Sequence, residues 1–341
     1  MGVKGDIKEN KMNKKKHVLQ WHITHECNLR CSHCYQEDYS AEKSYPELEM
    51  IFFQYHDFCC KYNFKGHINF TGGEPFLSEN LFPLLDLCEK YGYTFGILTN
   101  GTLLNQDIAD ILSKYNNLCF VQVSIDGIRE THDMIRGKGS FDLAFSGLKF
   151  LKKSGIQTMV SFTCHRGNLN ELKKVIRIIR KNKIDRFWTD RLIPMGCNSE
   201  DIMSTDEFRK YIRILTYEHN RKSSLFHHFT TDVHLNRALQ FSEGGNCYYQ
   251  CSAGVSLLTV LADGTLLPCR RLPVPVGNCF DSDIITLYEN SDLIRDLKMH
   301  SIPDECMMCP KAELCRGGAR CLTYAVTGDY HGKDINCYCL Y

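Results

Sequence analysis

Nowhere do about 18 apolar residues run uninterrupted, the length a membrane-spanning helix needs, and the lysine-rich start from Lys4 to Lys16 lacks the apolar core of a signal peptide. A soluble, cytoplasmic protein without a membrane partner is therefore expected. Excess charge of one sign is also missing. The 41 basic and 40 acidic side chains leave a net charge of +1, too little field to recruit nucleic acid or an acidic membrane. Residues 1–16 read as a disordered basic leader. No Gly/Pro-rich linker, low-complexity tract or repeat of fixed period divides the chain of 341 residues, which is long enough for two domains or one large barrel with an appendage.

What the chain has in excess is cysteine, nineteen in all. In a large chain without a signal peptide they point to metal binding or thiol chemistry in a reducing compartment rather than to disulfides. Cys27, Cys31 and Cys34 cluster near the start, ten cysteines lie from Cys247 to Cys339, and six are scattered between. Three thiolates on so short a loop can converge on one metal centre. A cuboidal iron–sulfur cluster normally takes four cysteines, so three leave one iron open to another ligand.

From His17 to about Ile193 short β-rich runs alternate with helical stretches. The strands expected are Val18–Thr24, His67–Thr71, Tyr93–Thr99, Leu118–Ile125, Gln157–Thr163 and Arg186–Ile193. Ser44, Pro46 and Glu47 mark one helix start, and the pair Asn168 and Glu171 is expected to cap another. Six strand–helix units imply an α/β fold with a parallel sheet, a partial (βα)6 TIM-like barrel over residues 17–200, with its chemistry on the loops after the strands. Residues 201–245 read as a helical connection. Residues 246–341 read as a small cysteine-rich domain with a β-hairpin from Ser256–Leu261 and the turn Ala262–Thr265, after which order is expected to come largely from ligands.

The second strand ends in Thr71-Gly72-Gly73-Glu74-Pro75. Paired glycines allow close backbone approach to a ligand, and the carboxylate can accept from an ammonium group. With the cysteine loop at the same barrel end, the chain resembles a radical S-adenosylmethionine enzyme, and its tail resembles the SPASM domain of peptide-modifying members. The resemblance covers residues 17–200 and 246–341. It implies that Cys27, Cys31 and Cys34 hold a 4Fe–4S cluster whose fourth iron chelates S-adenosylmethionine. It also implies that Glu74, with Gly72 and Gly73, receives the amino group, that Arg136 pairs with the methionine carboxylate, and that Ser124 and Asn100 reach the ribose or carboxylate end. Ile193, in the run Leu192–Gly196, resembles the adenine-contacting sixth strand. For Arg136 a solvated surface charge, and for Asn100 a plain Asn-Gly turn, are the alternatives.

In the tail, Cys251, Gly264 and Cys269, then Cys306-x2-Cys309-x5-Cys315 and Cys337, follow the family spacing. The resemblance assigns Cys247, Cys251, Cys269 and Cys321 to one auxiliary 4Fe–4S cluster and Cys306, Cys309, Cys315 and Cys337 to a second, three clusters in all. Ala319 stands where the family usually has a cysteine, four residues after Cys315, and Cys321 follows two residues later. Cys339 is an alternative to Cys337. Structural zinc is the other reading of such spacing. Cys59, Cys60, Cys88 and Cys119 read as small buried hydrophobes. Cys164 and Cys197, at the barrel's carboxyl end, are candidate hydrogen donors or substrate contacts, with packing as the plainer role. His22, His25 and His33 are expected to line or hydrogen-bond the loop.

The function implied is a peptide maturase that draws a low-potential electron from ferredoxin or flavodoxin, generates a 5'-deoxyadenosyl radical and installs a thioether or other crosslink in a ribosomally made precursor peptide. A peptide epimerase stays open. A sulfatase-maturing enzyme would carry an acid just after the cysteine at 269, where this chain has Arg270. No fused leader-binding domain is expected before the first strand, so a leader is expected to need the barrel surface or a separate partner. A reading of a different class is a non-catalytic zinc-ribbon binding protein.

Overall fold

The computed structural model describes residues 14–36, 38–39, 43–195, 199–221, 231–235, 251–299 and 301–338. Strands β1 (Lys16–Thr24), β2 (Lys65–Gly72), β3 (Thr94–Thr99), β4 (Leu118–Ser124), β5 (Thr158–Cys164) and β6 (Arg186–Arg191) alternate with helices α1 (Tyr45–Lys61), α2 (Leu81–Tyr91), α3 (Gln106–Leu112), α4 (Arg129–Arg136), α5 (Ser140–Lys153) and α6 (Leu172–Lys181). Each strand pairs in parallel with the next. The expected six-unit parallel sheet is present, and it is not closed.

Two further parallel strands widen it. After α7 (Thr205–Asn220), the short β7 (Asp232–Val233) pairs with β6. On the other edge β8 (Leu257–Val260) pairs in parallel with β1, and β9 (Thr265–Leu267) and β10 (Gly277–Asn278) continue antiparallel. The order is β10-β9-β8-β1-β2-β3-β4-β5-β6-β7. The hairpin of the cysteine-rich region is thus part of the barrel's own sheet. Leu258, Val260 and Leu266, with Ile284 and Tyr288 of α8 (Ile284–Asn290) and Ile294 of α9 (Asp292–Met299), join the barrel's buried core.

Side-chain alternation sorts the sheet into two faces. Leu19, Trp21 and Ile23 of β1, Ile68 and Phe70 of β2, Val121 and Val123 of β4, and Val160 and Phe162 of β5 are fully buried under the helices. Gln20, Asn69, Gln122, Ser161 and Trp188 alternate to the opposite, inner face, where each stays partly exposed. Among the described residues no helix is long and apolar enough to cross a membrane.

The helix start at Ser44 forms as expected, with Glu47 accepting from the Ser44 amide at 2.9 Å. The capping pair near 170 does not. Asn168 turns back to donate to the carbonyls of Asp126 (3.0 Å) and Thr163 (2.9 Å), and Glu171 accepts from Ile128 N and the Thr131 hydroxyl. Tertiary partners at the strand ends outcompete the local cap.

Candidate functional site at the carboxyl ends of the strands

The cysteine loop leaves β1 at Thr24 and is fastened from two sides. The amides of Gly73 and Glu74 donate to the carbonyls of Thr24 (2.9 Å) and Glu26 (2.7 Å), and Ser32 N donates to Ile135 O at the end of α4 (2.9 Å). These contacts explain the two glycines. A Cβ on Gly72, whose φ is +135°, would stand 2.3 Å from Thr24 O, and one on Gly73 would stand 2.0 Å from Glu26 O. The glycines therefore admit the loop's own backbone, where the sequence suggested close approach to a ligand.

Glu74 is fully buried. Its oxygens accept from the Thr99 hydroxyl (2.7 Å), Asn100 N (2.8 Å) and Phe76 N (3.2 Å). Burial outweighs these donors and pushes its pKa up to about 7. Asn100 is not a bare turn: its amide donates to Asn28 Oδ1 in the cysteine loop (2.9 Å) and its oxygen accepts from Thr102. Ser124, at the end of β4, is partly exposed on the inner face.

Arg136 is no solvated charge; its side chain is 11% exposed. Its Nε donates to Asp126 Oδ2 (2.6 Å) and its Nη1 reaches Cys31 Sγ (3.8 Å). The same Asp126 oxygen meets His33 Nε2 (2.8 Å), and Oδ1 accepts from Thr163 N (2.8 Å). Burial would raise the Asp126 pKa, but Arg136 and His33 outweigh it and hold the carboxyl well below the usual range. Asp126 stands two residues after Ser124, yet no local pattern signals its role.

Cys27, Cys31 and Cys34 are free thiols, the first two partly buried and the third exposed. Each sulfur receives one N–H: Cys27 from Leu29 N (3.5 Å), Cys34 from Gln36 N (3.4 Å) and Cys31 from Arg136. Burial pushes the Cys27 and Cys31 thiols up, opposed at Cys27 by the Leu29 amide and at Cys31 by Arg136. A coordinated metal would deprotonate them, and N–H donors to thiolate are a usual support of iron–sulfur ligation, so the donor set fits a cluster. Among the described residues no three His, Cys, Asp or Glu side chains close on a single ion. A cuboidal cluster instead takes one thiolate at each iron.

The tail approaches from the β1 edge. Arg270 donates from Nη2 to Tyr35 O (2.7 Å) and lies over the Tyr35 ring at 4.4 Å, joining the residue after Cys269 to the residue after Cys34. His22, buried near Arg270, is pushed down to about 3 by burial first and Arg270 second. Cys269 and Cys321 share one apolar group with Ile193, and Cys251 packs against it. Ile193 thus sits between barrel and tail, beyond the end of β6.

Around the other cysteines, Cys309 N donates to Cys306 O (2.9 Å), Cys337 N to Asp334 O (2.9 Å), and Asp334 N to Gly317 O (2.8 Å), two residues past Cys315. Arg191 of β6 binds both Asp334 oxygens (2.8 and 2.7 Å) and Asn336 (2.9 Å), and Ala319 N donates to Asp334. Arg191 and Asp334 had no sequence signal. Cys197, Cys247 and Cys339 lie outside the described residues. Cys164 is buried in the core with its sulfur 3.9 Å from Met203 Sδ. Cys59 and Cys88 are buried as expected, whereas Cys60 and Cys119 are exposed.

The radical SAM superfamily model matches residues 21–179, and an iron–sulfur cluster-binding domain model, SPASM, matches residues 251–310. The chain belongs to the radical SAM superfamily. It is an enzyme of the class that cleaves S-adenosylmethionine reductively, and its cofactors are iron–sulfur clusters and S-adenosylmethionine. Family membership overturns the non-catalytic zinc-ribbon reading. Among relatives of this radical SAM chain, an AdoMet-dependent heme synthase of Methanosarcina barkeri is 27% identical, over 95% of this chain and 96% of that protein. The subtilosin biosynthesis protein AlbA of Bacillus subtilis is 26% identical, over 92% of this chain and 69% of AlbA. The solved structure of Streptococcus suis SuiB bound to precursor peptide SuiA has the same fold (TM-score 0.73, 20% identity, 95% of this chain and 76% of SuiB).

Proposed function

We propose that this radical SAM enzyme is a peptide maturase that installs a thioether or other side-chain crosslink in a ribosomally made peptide. The observation that carries the peptide reading is the inner wall of the sheet, where Gln20, Asn69, Gln122 and Ser161 offer amide and hydroxyl groups at partial exposure. Such groups pair with peptide backbone, and Trp188 on the same face adds an apolar surface beside them. AlbA, a bacteriocin biosynthesis protein, and SuiB, solved with its precursor peptide, support the same reading. A second reading, tetrapyrrole modification, is favoured by the heme synthase match across both chains.

In this assignment Cys27, Cys31 and Cys34 hold the first 4Fe–4S cluster. Cys251, Cys269 and Cys321 with Cys247 hold one auxiliary cluster, and Cys306, Cys309, Cys315 and Cys337 the other. The reduced first cluster with S-adenosylmethionine supplies a 5'-deoxyadenosyl radical able to take hydrogen from an unactivated carbon. Glu74 faces the methionine amino group, Arg136 its carboxylate, Ser124 the ribose, and Ile193 backs the adenine end. Asn100 is committed to Asn28 and Thr102, so its part is to hold the loop. The electron comes from ferredoxin or flavodoxin, and leader recognition falls to the barrel surface or a separate partner.

The test gives anaerobically reconstituted enzyme dithionite and S-adenosylmethionine with either a short peptide encoded beside its gene or an iron porphyrin. A peptide lighter by one hydrogen pair, and a brown protein with about twelve irons per chain, are expected. Cys31→Ala is expected to abolish 5'-deoxyadenosine formation. Turnover of the porphyrin alone would overturn the peptide reading, and a colourless zinc-loaded protein would overturn the cluster assignment.

A further inference from the structure

We propose that Asp126 is a positioning residue that aims Arg136 at the sulfur of Cys31, so that Arg136 tunes the first cluster electronically. This rests on the assignment of Cys27, Cys31 and Cys34 to that cluster. Two of the three loop sulfurs receive their N–H from the loop's own backbone, Leu29 for Cys27 and Gln36 for Cys34. The Cys31 sulfur instead takes its donor from α4, Arg136 Nη1 at 3.8 Å. A long side chain reaches such a position only if something holds it.

Asp126 does so with one oxygen. Its Oδ2 takes Arg136 Nε at 2.6 Å and His33 Nε2 at 2.8 Å, so the loop and the helix meet on a single atom. The carboxylate is itself fixed, because Oδ1 accepts from Thr163 N at the end of β5 and the Asp126 carbonyl accepts from Asn168. The guanidinium is planar and rigid, so anchoring Nε sets the direction of both Nη groups. Hydrogen bonds and nearby charge at cluster sulfurs set reduction potential. Arg136 supplies both.

The experiment titrates the midpoint potential of reconstituted enzyme by electron paramagnetic resonance, following the signal that changes when S-adenosylmethionine is added. Arg136→Met removes a donor and a positive charge, and the potential is expected to fall. Asp126→Asn is expected to move it in the same direction, because the charge-assisted bond that anchors Arg136 is lost. If Asp126 acted only through its own charge, removing that charge would raise the potential, and a rise, or no change, overturns the proposal. Should Asp126→Asn fail to fold, Arg136→Lys decides. Lysine keeps the charge but cannot hold Asp126 and Cys31 at once, so a fall is expected and an unchanged potential is contrary. If no wild-type signal responds to S-adenosylmethionine, or if Cys31→Ala leaves that signal intact, the cluster assignment itself fails, whatever the Asp126 variants do.

Discussion

The first cysteine loop and the segment 301–338 both carry closely spaced cysteines, but they are held by different means. The loop is fastened mainly through backbone groups at neighbouring strand and helix ends: Gly73 and Glu74 amides on Thr24 and Glu26 carbonyls, Ser32 on Ile135. The segment 301–338 has little regular structure beyond α10 (Ala312–Cys315) and α11 (Arg320–Thr327). It is tied to the barrel by a buried side-chain pair, Arg191 with Asp334, whose side chains are 6% and 1% exposed. Backbone fastening needs only the right chain geometry, while a buried ion pair needs both partners in place. Added backbone bulk at Gly73 is therefore expected to disturb the loop, and loss of the Asp334 carboxylate to loosen segment 301–338.

Four substitutions sharpen or break that contrast. Asp334→Ala strands the buried Arg191 charge, and a loss of about 3–5 kcal/mol is expected in denaturant unfolding, together with loss of tail iron. A loss under about 1 kcal/mol would put the tail's hold elsewhere. Gly73→Ala drives a Cβ into Glu26 O, with an expected cost of about 1–3 kcal/mol and loss of 5'-deoxyadenosine formation while tail iron stays; normal formation would deny the glycine its role.

Glu74→Gln probes the buried carboxylate beside the loop, whose pKa is raised. The folded chain holds this proton more tightly than the unfolded chain does. Its stabilisation is therefore complete below the ordinary value of 4.5 and is lost as pH rises through about 7. Thermal unfolding of the apo chain should show that decline, and Glu74→Gln should flatten it; an unchanged slope would assign the titration to another group. Cys119→Ser, at an exposed site, is expected to change stability by less than about 0.5 kcal/mol with no loss of iron.

Much of the site was legible because its signals are local. The spacing of Cys27, Cys31 and Cys34, the Gly72-Gly73-Glu74 turn and the placement of Ser124 and Arg136 near strand or helix ends are all short-range patterns, and the structure gathers them at one end of the sheet. The six parallel strands were legible from alternation within each run. Less legible were partners far apart in sequence: β8 on β1, Arg191 with Asp334, Arg270 with Tyr35, and the Asp126 oxygen shared by His33 and Arg136.

By itself the sequence determined where the six alternating strands of the barrel run and which cysteines stand at close spacing. Only the tertiary structure decided that the hairpin belongs to the barrel's sheet and that paired glycines make room for a neighbouring loop. It alone also decided that Arg136 points at a sulfur. The physical reason is the same in each case: local pattern fixes what a segment can do, but hydrogen-bond partners and close approaches depend on which distant segment folding brings beside it.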